Sequence, residues 1–275
     1  MKDNSISHNT IIRIEGPKVT SKEDFLAIEE PMEIGITVLE NTPPIVNKNI
    51  SITMRTPSNN EDLALGFLFT EGIIYTPYQV EKFQYKDNKI NVFLNASEPI
   101  DLTQIERHSY VSSSCGVCGK ASIDSIRTTC RLDNVEDDIK VDKYLIKQFP
   151  TLLNKQQAVF ESTGGLHAAA LFNIQGELIT LREDVGRHNA LDKLIGWAFQ
   201  NELLSASNYL LLLSGRASFE LIQKAAMAGI KFIMAVGAPS SLAVELAKEF
   251  DITLIGFLNH KRYNIYCGEK RIVLD

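Results

Sequence analysis

The residues of this chain best suited to covalent chemistry are Cys115 and Cys118, separated by two residues in the run SSSCGVCGK of residues 112–120. The run carries no apolar periodicity, and its glycines and serines predict a loop. A helix is expected to open just after Cys118, over residues 120–127, and a helix N-terminus together with Lys120 favours thiolate over thiol. Lowering a thiol's pKa from about 8.5 to about 7 raises its ionised fraction at neutral pH from roughly 3% to roughly half. The pair is therefore suited to nucleophilic sulfur chemistry. Three readings stay open on the residues alone. A structural zinc site needs two further ligands, for which Cys130, Cys267 and His108 are candidates, but there is no second C-x-x-C. A thioredoxin-like switch wants the motif at a strand-to-helix junction, whereas a serine-rich run precedes it here. A persulfide carrier requires a flexible, exposed thiolate.

Polar residues gather again at Arg182-Glu183-Asp184-Val185-Gly186-Arg187-His188-Asn189, between an expected strand and an expected helix. Upstream, Thr163-Gly164-Gly165-Leu166-His167 leads into the same strand pair, its glycines permitting close approach by a ligand or another segment. His167 taken alone reads as a hydrogen-bonded structural histidine. Two further loops, Ser214-Gly215-Arg216-Ala217-Ser218 and Gly237-Ala238-Pro239-Ser240-Ser241, each join a buried strand to a helix. At the carboxyl ends of parallel strands such loops bind ligands, and helix N–H groups suit phosphates. Arg216 adds a bidentate donor. The plainer reading is helix capping by Ser218 and Ser241.

The elements that must hold these residues divide the chain near residue 135. The first part is β-rich: residues 33–39 and 50–56 alternate apolar and polar side chains, and residues 90–94 form another strand. Residues 62–73 have helical spacing, with Leu65, Leu68 and Phe69 on one face. An acidic connector, residues 133–138, follows. Residues 144–149 predict a helix that Pro150 ends or interrupts. Residues 166–174 and 177–181 flank Gln175-Gly176 as a hairpin. The next helix, residues 190–203, aligns Leu191, Leu194, Ile195, Ala198 and Phe199. Strands over 210–213, 231–236 and 252–258 then alternate with helices over 219–228, stopped by Gly229, and 242–250. Two successive βαβ units imply a parallel sheet covered by helices.

The chain has 275 residues, with 34 acidic and 28 basic side chains and a formal charge of -6. That balance argues against nucleic-acid binding through a broad basic surface, while leaving room for a local anion site. The apolar runs are too short to cross a bilayer and the first residues are polar, so no membrane and a cytoplasmic location are expected. Neither G-x-G-x-x-G nor a Walker loop occurs, and no histidine is followed two residues later by glutamate as a zinc deaminase requires.

Together these motifs resemble the formate dehydrogenase accessory sulfurtransferases, the FdhD family. The likeness rests on SSSCGVCGK, TGGLHAAAL at 163–171, REDVGRHNALDKLIG at 182–196, SGRASFELIQKAAMAGI at 214–230, APSSLAVELA at 238–247 and ITLIGFL at 252–258. MRTPSNNEDLALGFLFTEGII, from residue 54 to residue 74, extends it into the first half. The resemblance implies a sulfur carrier that takes sulfur from a cysteine desulfurase and passes it to molybdenum bis(molybdopterin guanine dinucleotide), bound as substrate, for formate dehydrogenase. Cys115 would hold the persulfide and Cys118 would assist. The implied fold is α/β: a smaller β-rich N-terminal domain, residues 1–135, carries the C-x-x-C loop. Residues 136–275 would form a cytidine deaminase-like α/β layer domain without the zinc site. A homodimer is implied as well. The family's cofactor-binding stretch maps onto Phe257, Leu258, Asn259, His260, Lys261 and Arg262, with Asn259 where many members carry arginine. Ser214, Gly215, Arg216, His167, Arg187 and His188 complete the expected binding set. The alternative is a carrier that delivers the cofactor without sulfur chemistry, its cysteines serving for shape or redox sensing.

Overall fold

The computed structural model describes residues 5–39, 46–95, 137–155 and 163–275. Cys115, Cys118, His108 and Cys130, the loop and helix expected over 112–127, most of the acidic connector and the expected boundary at residue 135 lie outside the described residues.

Alternation builds the first sheet. In β3 (Glu30–Leu39) and β6 (Lys89–Asn95), Ile34, Ile36, Ile90 and Val92 are fully buried, while the residues between them face the other way. β3 pairs parallel with β6 and antiparallel with β4 (Val46–Arg55), and β5 (Val80–Lys86) closes the order β4-β3-β6-β5. The apolar face packs on α1 (Asn60–Thr70), whose Leu63, Leu65 and Leu68 belong to the same cluster. Each such side chain withdrawn from water contributes about 1.5–3 kcal/mol. Ahead of this sheet, β1 (Ile6–Glu15) and β2 (Lys18–Ala27) form a separate two-stranded hairpin about Gly16-Pro17, which the sequence reading did not anticipate.

The second half follows its expected order closely. β7 (Val141–Asp142) precedes α2 (Lys143–Ile146), and α3 (Phe149–Asn154) starts with Pro150 in its first turn; the proline thus splits the expected helix. β8 (His167–Phe172) and β9 (Leu178–Asp184) make the hairpin, followed by α4 (Arg187–Gln200). Then come β10 (Leu210–Leu213), α5 (Phe219–Met227), β11 (Phe232–Ala235), α6 (Ser241–Glu249), β12 (Thr253–Gly256), β13 (Asn264–Cys267) and β14 (Ile272–Val273). Gly229 ends the α5 segment at φ 74°, a conformation that glycine adopts without steric cost.

The two expected βαβ units set β10, β11 and β12 parallel, within a sheet that as a whole is mixed. In the order β13-β12-β11-β10-β8-β9 only β10, β11 and β12 run parallel, because β8–β9 and β12–β13 are joined as antiparallel pairs. One sheet face joins α1, α4, α5 and α6 in a cluster that includes Leu191, Leu211 and Ile222 as well as Ile34. The other face packs Phe172, Leu212 and Met234 on Phe149 and Ile146. Among the described residues no helix is long and apolar enough to cross a membrane.

Candidate functional site

At the carboxyl end of β10, Ser214 locks to β8: its N–H donates to the Ala168 carbonyl (3.0 Å) and its hydroxyl accepts from the Ala168 N–H (2.8 Å). Beyond it the strand-end loops are joined through their backbones. Gly237 N–H donates to the Gly215 carbonyl (2.9 Å), and Phe257 N–H donates to the Gly237 carbonyl (3.0 Å). Ala217 N–H reaches the Ala238 carbonyl (3.2 Å), and Ser240 N–H the Ala217 carbonyl (3.0 Å). Such close approach requires residues without side chains: a Cβ on Gly237 would lie 2.9 Å from the Arg216 nitrogen. A Cβ on Gly215 would stand 3.2 Å from Nδ1 of His167, so the histidine at the start of β8 adjoins this loop.

His167 pairs in register with Asp184 at the end of β9. Burial holds the His167 imidazole below its ordinary pKa of 6.5, and the positive charge of Arg187 and His188 pushes in the same direction. It is the neutral ring that stands here at neutral pH. Asp184 organises the strand-to-helix turn. Its carboxylate accepts from Gly186 N–H (2.8 Å), Asn189 Nδ2 (3.1 Å) and Thr56 N–H (3.1 Å), and pairs with Lys193 Nζ at 2.7 Å. Lys193 and Asp184 are both fully buried, and Lys193 also donates to the carbonyls of Thr56 (2.9 Å) and Glu183 (3.2 Å). Asn189 continues the network into β4 by accepting from Thr53 Oγ1 (3.0 Å) and donating to the Met54 carbonyl (2.7 Å). The helix therefore starts at Arg187 rather than at residue 190, with Gly186 at the cap position.

In the first turn of α4, His188 Nε2 meets Glu220 Oε2 of α5 at 2.8 Å, with Ser218 Oγ 3.4 Å away. The capping reading needs correction at both serines. Ser218 occupies the cap position of α5 but makes no side-chain cap bond, its hydroxyl lying toward His188. For α6 the cap is Ser240, which accepts from Ala243 N–H at 3.2 Å, because α6 itself begins at Ser241.

Arg216 is exposed and Arg187 half-buried, and neither guanidinium has a hydrogen-bond or ion-pair partner among the described residues. Nε of Arg187 is moreover buried without an acceptor. A buried charged donor favours an anionic acceptor. The first turns of α4 and α5, brought together by the His188–Glu220 pair, add N–H groups of the kind that hold phosphates.

The structure thus brings His167, Arg187, His188, Ser214, Gly215 and Arg216 into one region, with the backbone of Phe257 two strands further along, linked through Gly237. The rest of the expected 257–262 stretch divides. Phe257 has φ 53° and is 42% exposed, whereas Leu258 is 1% exposed and packs in the core. Asn259 is committed to its own turn: Oδ1 accepts from the N–H groups of Lys261 (2.9 Å) and Arg262 (3.1 Å), and Nδ2 donates to the Phe257 carbonyl (3.2 Å). His260, Lys261 and Arg262 are exposed on that turn. Glu220 and Lys193 were not singled out from the sequence. Both sit at helical spacing among apolar neighbours, and only their partners reveal them. Cys267, considered as a zinc ligand, is half-buried in β13 with its thiol donating to the Ile252 carbonyl (3.2 Å); burial pushes its pKa up. Among the described residues no three His, Cys, Asp or Glu side chains cluster as metal ligands would.

Residues 31–273 match the family model described as the FdhD/NarQ family. The chain is 46% identical over 277 residues to a "Sulfur carrier protein FdhD" of Streptomyces avermitilis, covering 96% of this chain and 94% of that one. It is 42% identical over 263 residues to the protein of the same name from Saccharolobus solfataricus, covering 95% and 96%. A solved structure of a formate dehydrogenase accessory protein from Desulfotalea psychrophila shares the fold. Its TM-score is 0.70 at 23% identity, over 98% of this chain and 99% of that one.

Proposed function

The chain belongs to the FdhD/NarQ family, and on that footing we propose that it carries sulfur from a cysteine desulfurase to the molybdenum cofactor destined for formate dehydrogenase. The cofactor, in its bis(molybdopterin guanine dinucleotide) form, is the substrate of this step. In the first half-reaction the Cys115 thiolate attacks the terminal sulfur of the donor's persulfide. The donor leaves as thiolate and Cys115 becomes the persulfide. Cys118 can then attack Sγ of Cys115, forming a disulfide and releasing the outer sulfur as sulfide toward the molybdenum. A dithiol reductant, supplying two electrons, returns the pair to its starting state.

The observation that carries the substrate reading is the unpaired guanidinium of Arg187, its Nε buried without an acceptor beside His167 and the Gly215 loop. Phosphates of a guanine dinucleotide supply the acceptor it lacks. Arg216 and the first turns of α4 and α5 add donors on the same side, and Lys261 and Arg262 offer further positive charge on the turn after β12. The neutral His167 ring leaves this group of cations without one more positive charge to desolvate. The same reading holds the protein to be a cytoplasmic homodimer, β-rich to residue 135 and with cytidine deaminase-like layers from residue 136.

Cells lacking the native gene and supplied with a Cys115→Ser, Cys118→Ser double variant test the sulfur step. Formate dehydrogenase activity is expected to be lost while the purified variant still binds guanosine diphosphate. Normal activity with the double variant would favour a carrier without sulfur chemistry and end this proposal.

A further inference from the structure

The hairpin of β1 and β2 has two unlike faces. Its register sets Ile14 opposite Val19, Ile12 opposite Ser21 and His8 opposite Phe25 on one of them. The other carries Arg13, Glu15, Lys18, Lys22 and Asp24 and belongs in water. On the first face Ile12 is 72% and Ile14 70% exposed, Val19 is exposed beside them, and Phe25 stands edge-on against His8. Alternation of this kind specifies one wet face and one covered face, yet among the described residues the two strands pack chiefly on each other. Two strands alone are marginally stable in water and need packing on their apolar side. The hairpin is rooted where Ile28 N–H donates to the Ser5 carbonyl (2.9 Å) and Ser5 Oγ to the Pro57 carbonyl (2.7 Å). At about 3.3 Å per residue, its tip at Ile14 and Val19 stands roughly 30 Å from that root.

A matching apolar strip lies on β4, at the edge of the four-stranded sheet. Thr53 faces inward to Asn189 of α4, so its neighbours Ile52 and Met54 face outward, and both are exposed. Pairing sets them opposite Glu33 and Pro31 of β3, close to the hairpin root, whereas the tip is a hairpin's length away. Both surfaces are therefore bare in the single chain. A second copy covers both at once: exchange of hairpins about a two-fold axis lays each tip on the other copy's strip, and the contact closes at two copies. A different protein seated on the tip would leave the strip on β4 uncovered. The areas agree with exchange. One face of a two-stranded hairpin with ten residues in each strand measures roughly 33 Å by 10 Å, or about 330 Å². Each copy gives one such face and receives another, burying about 660 Å², which approaches the roughly 800 Å² per partner of a stable interface. A hairpin docked in one direction only would bury about half as much.

We propose that the β1–β2 hairpin is an exchanged arm: its face of Ile12, Ile14, Val19 and Phe25 covers the Ile52 and Met54 strip of a second copy, which returns the same contact. The inference rests on the homodimer of the proposed function and adds where the two copies meet; the sulfur step has no part in it. Sedimentation of the full chain over a dilution series tests it. The wild-type chain is expected as a dimer at micromolar concentration. Ile12→Thr with Ile14→Thr removes apolar contact from both arms while keeping side chains suited to strands, and weakens association at least about a hundredfold. Ile52→Thr, on the receiving strip, weakens it at least about tenfold. All three side chains are exposed in the single chain, so their replacement leaves the core as it is, and the variants should unfold cooperatively like the wild-type chain. A dimer that survives either the arm variant or the strip variant without weakening overturns the exchange and leaves the homodimer standing. A wild-type chain that stays monomeric throughout the series overturns both.

Discussion

Gly66 of α1 and Gly196 of α4 lie back to back: a Cβ on Gly66 would stand 1.8 Å from the Asp192 carbonyl oxygen, and one on Gly196 1.8 Å from that of Asp62. The two helices cross with backbone against backbone, and charged side chains bridge the layers around the crossing. Asp62 reaches Arg182 Nε of β9 at 2.7 Å, and Asp192 reaches Lys224 Nζ of α5 at 2.8 Å. Thr70 hydroxyl joins the second pair, donating to Asp192 (3.1 Å) and accepting from Lys224 (2.8 Å). The four-stranded sheet is thereby fixed to the helix that presents Arg187 and His188.

Gly196→Ala tests the crossing. The added methyl meets main-chain atoms that no side-chain rotation can clear, so the loss is expected at or above the upper part of the usual overpacking range of about 1–3 kcal/mol. Thermal unfolding should read this as a fall in Tm of several degrees, at roughly 2–4 °C per kcal/mol for a chain of this order of size. An unchanged Tm would mean that the helices separate freely.

The buried Lys193–Asp184 pair supports the candidate site from beneath. Lys193→Met leaves Asp184 as a charge without its partner and is expected to cost about 3–5 kcal/mol in denaturant unfolding. Adding Asp184→Asn to Lys193→Met removes that stranded charge, so the double variant should lose less than the two single losses added together. Strict additivity would contradict direct coupling between these side chains.

Much of this organisation was legible in the sequence where one periodicity dominated. The four leucines of residues 210–213 form β10 without a shift in either boundary, and Leu191, Leu194, Ile195, Ala198 and Phe199 are the buried face of α4. The start of α4 moved from residue 190 to Arg187 because Asp184, which accepts from Gly186 N–H, fixes the turn and is itself held by Thr56 and Lys193. No local pattern encodes those. The β1–β2 hairpin had a signal in Gly16-Pro17 and the flanking alternation. Its exposed Ile12, Ile14 and Val19 nevertheless obscured which face would be covered. Register escapes sequence reading altogether: Asn91, Gln84 and Gly35 come from separate strands, and only pairing places them in one row.

His167 supplies a pH test. Burial first, and then Arg187 and His188, hold its pKa below 6.5. Because the folded state disfavours the protonated ring, the stability from this group is present above about pH 6.5 and is lost as pH falls through the lower folded value. Arg187→Gln removes one of the neighbouring charges and should raise the His167 pKa toward 6.5 in an NMR titration. A value at or above 6.5 in the unmodified protein, or no rise in the variant, would contradict the arrangement of these groups.

The most direct measurement is the mass of the peptide containing Cys115 after the reduced protein has been incubated with a cysteine desulfurase and free cysteine. Sulfur carriage predicts one additional sulfur atom on that peptide, removable by a dithiol and missing in Cys115→Ala. An unmodified peptide, with Cys115→Ala still sustaining formate dehydrogenase activity in cells, would contradict it.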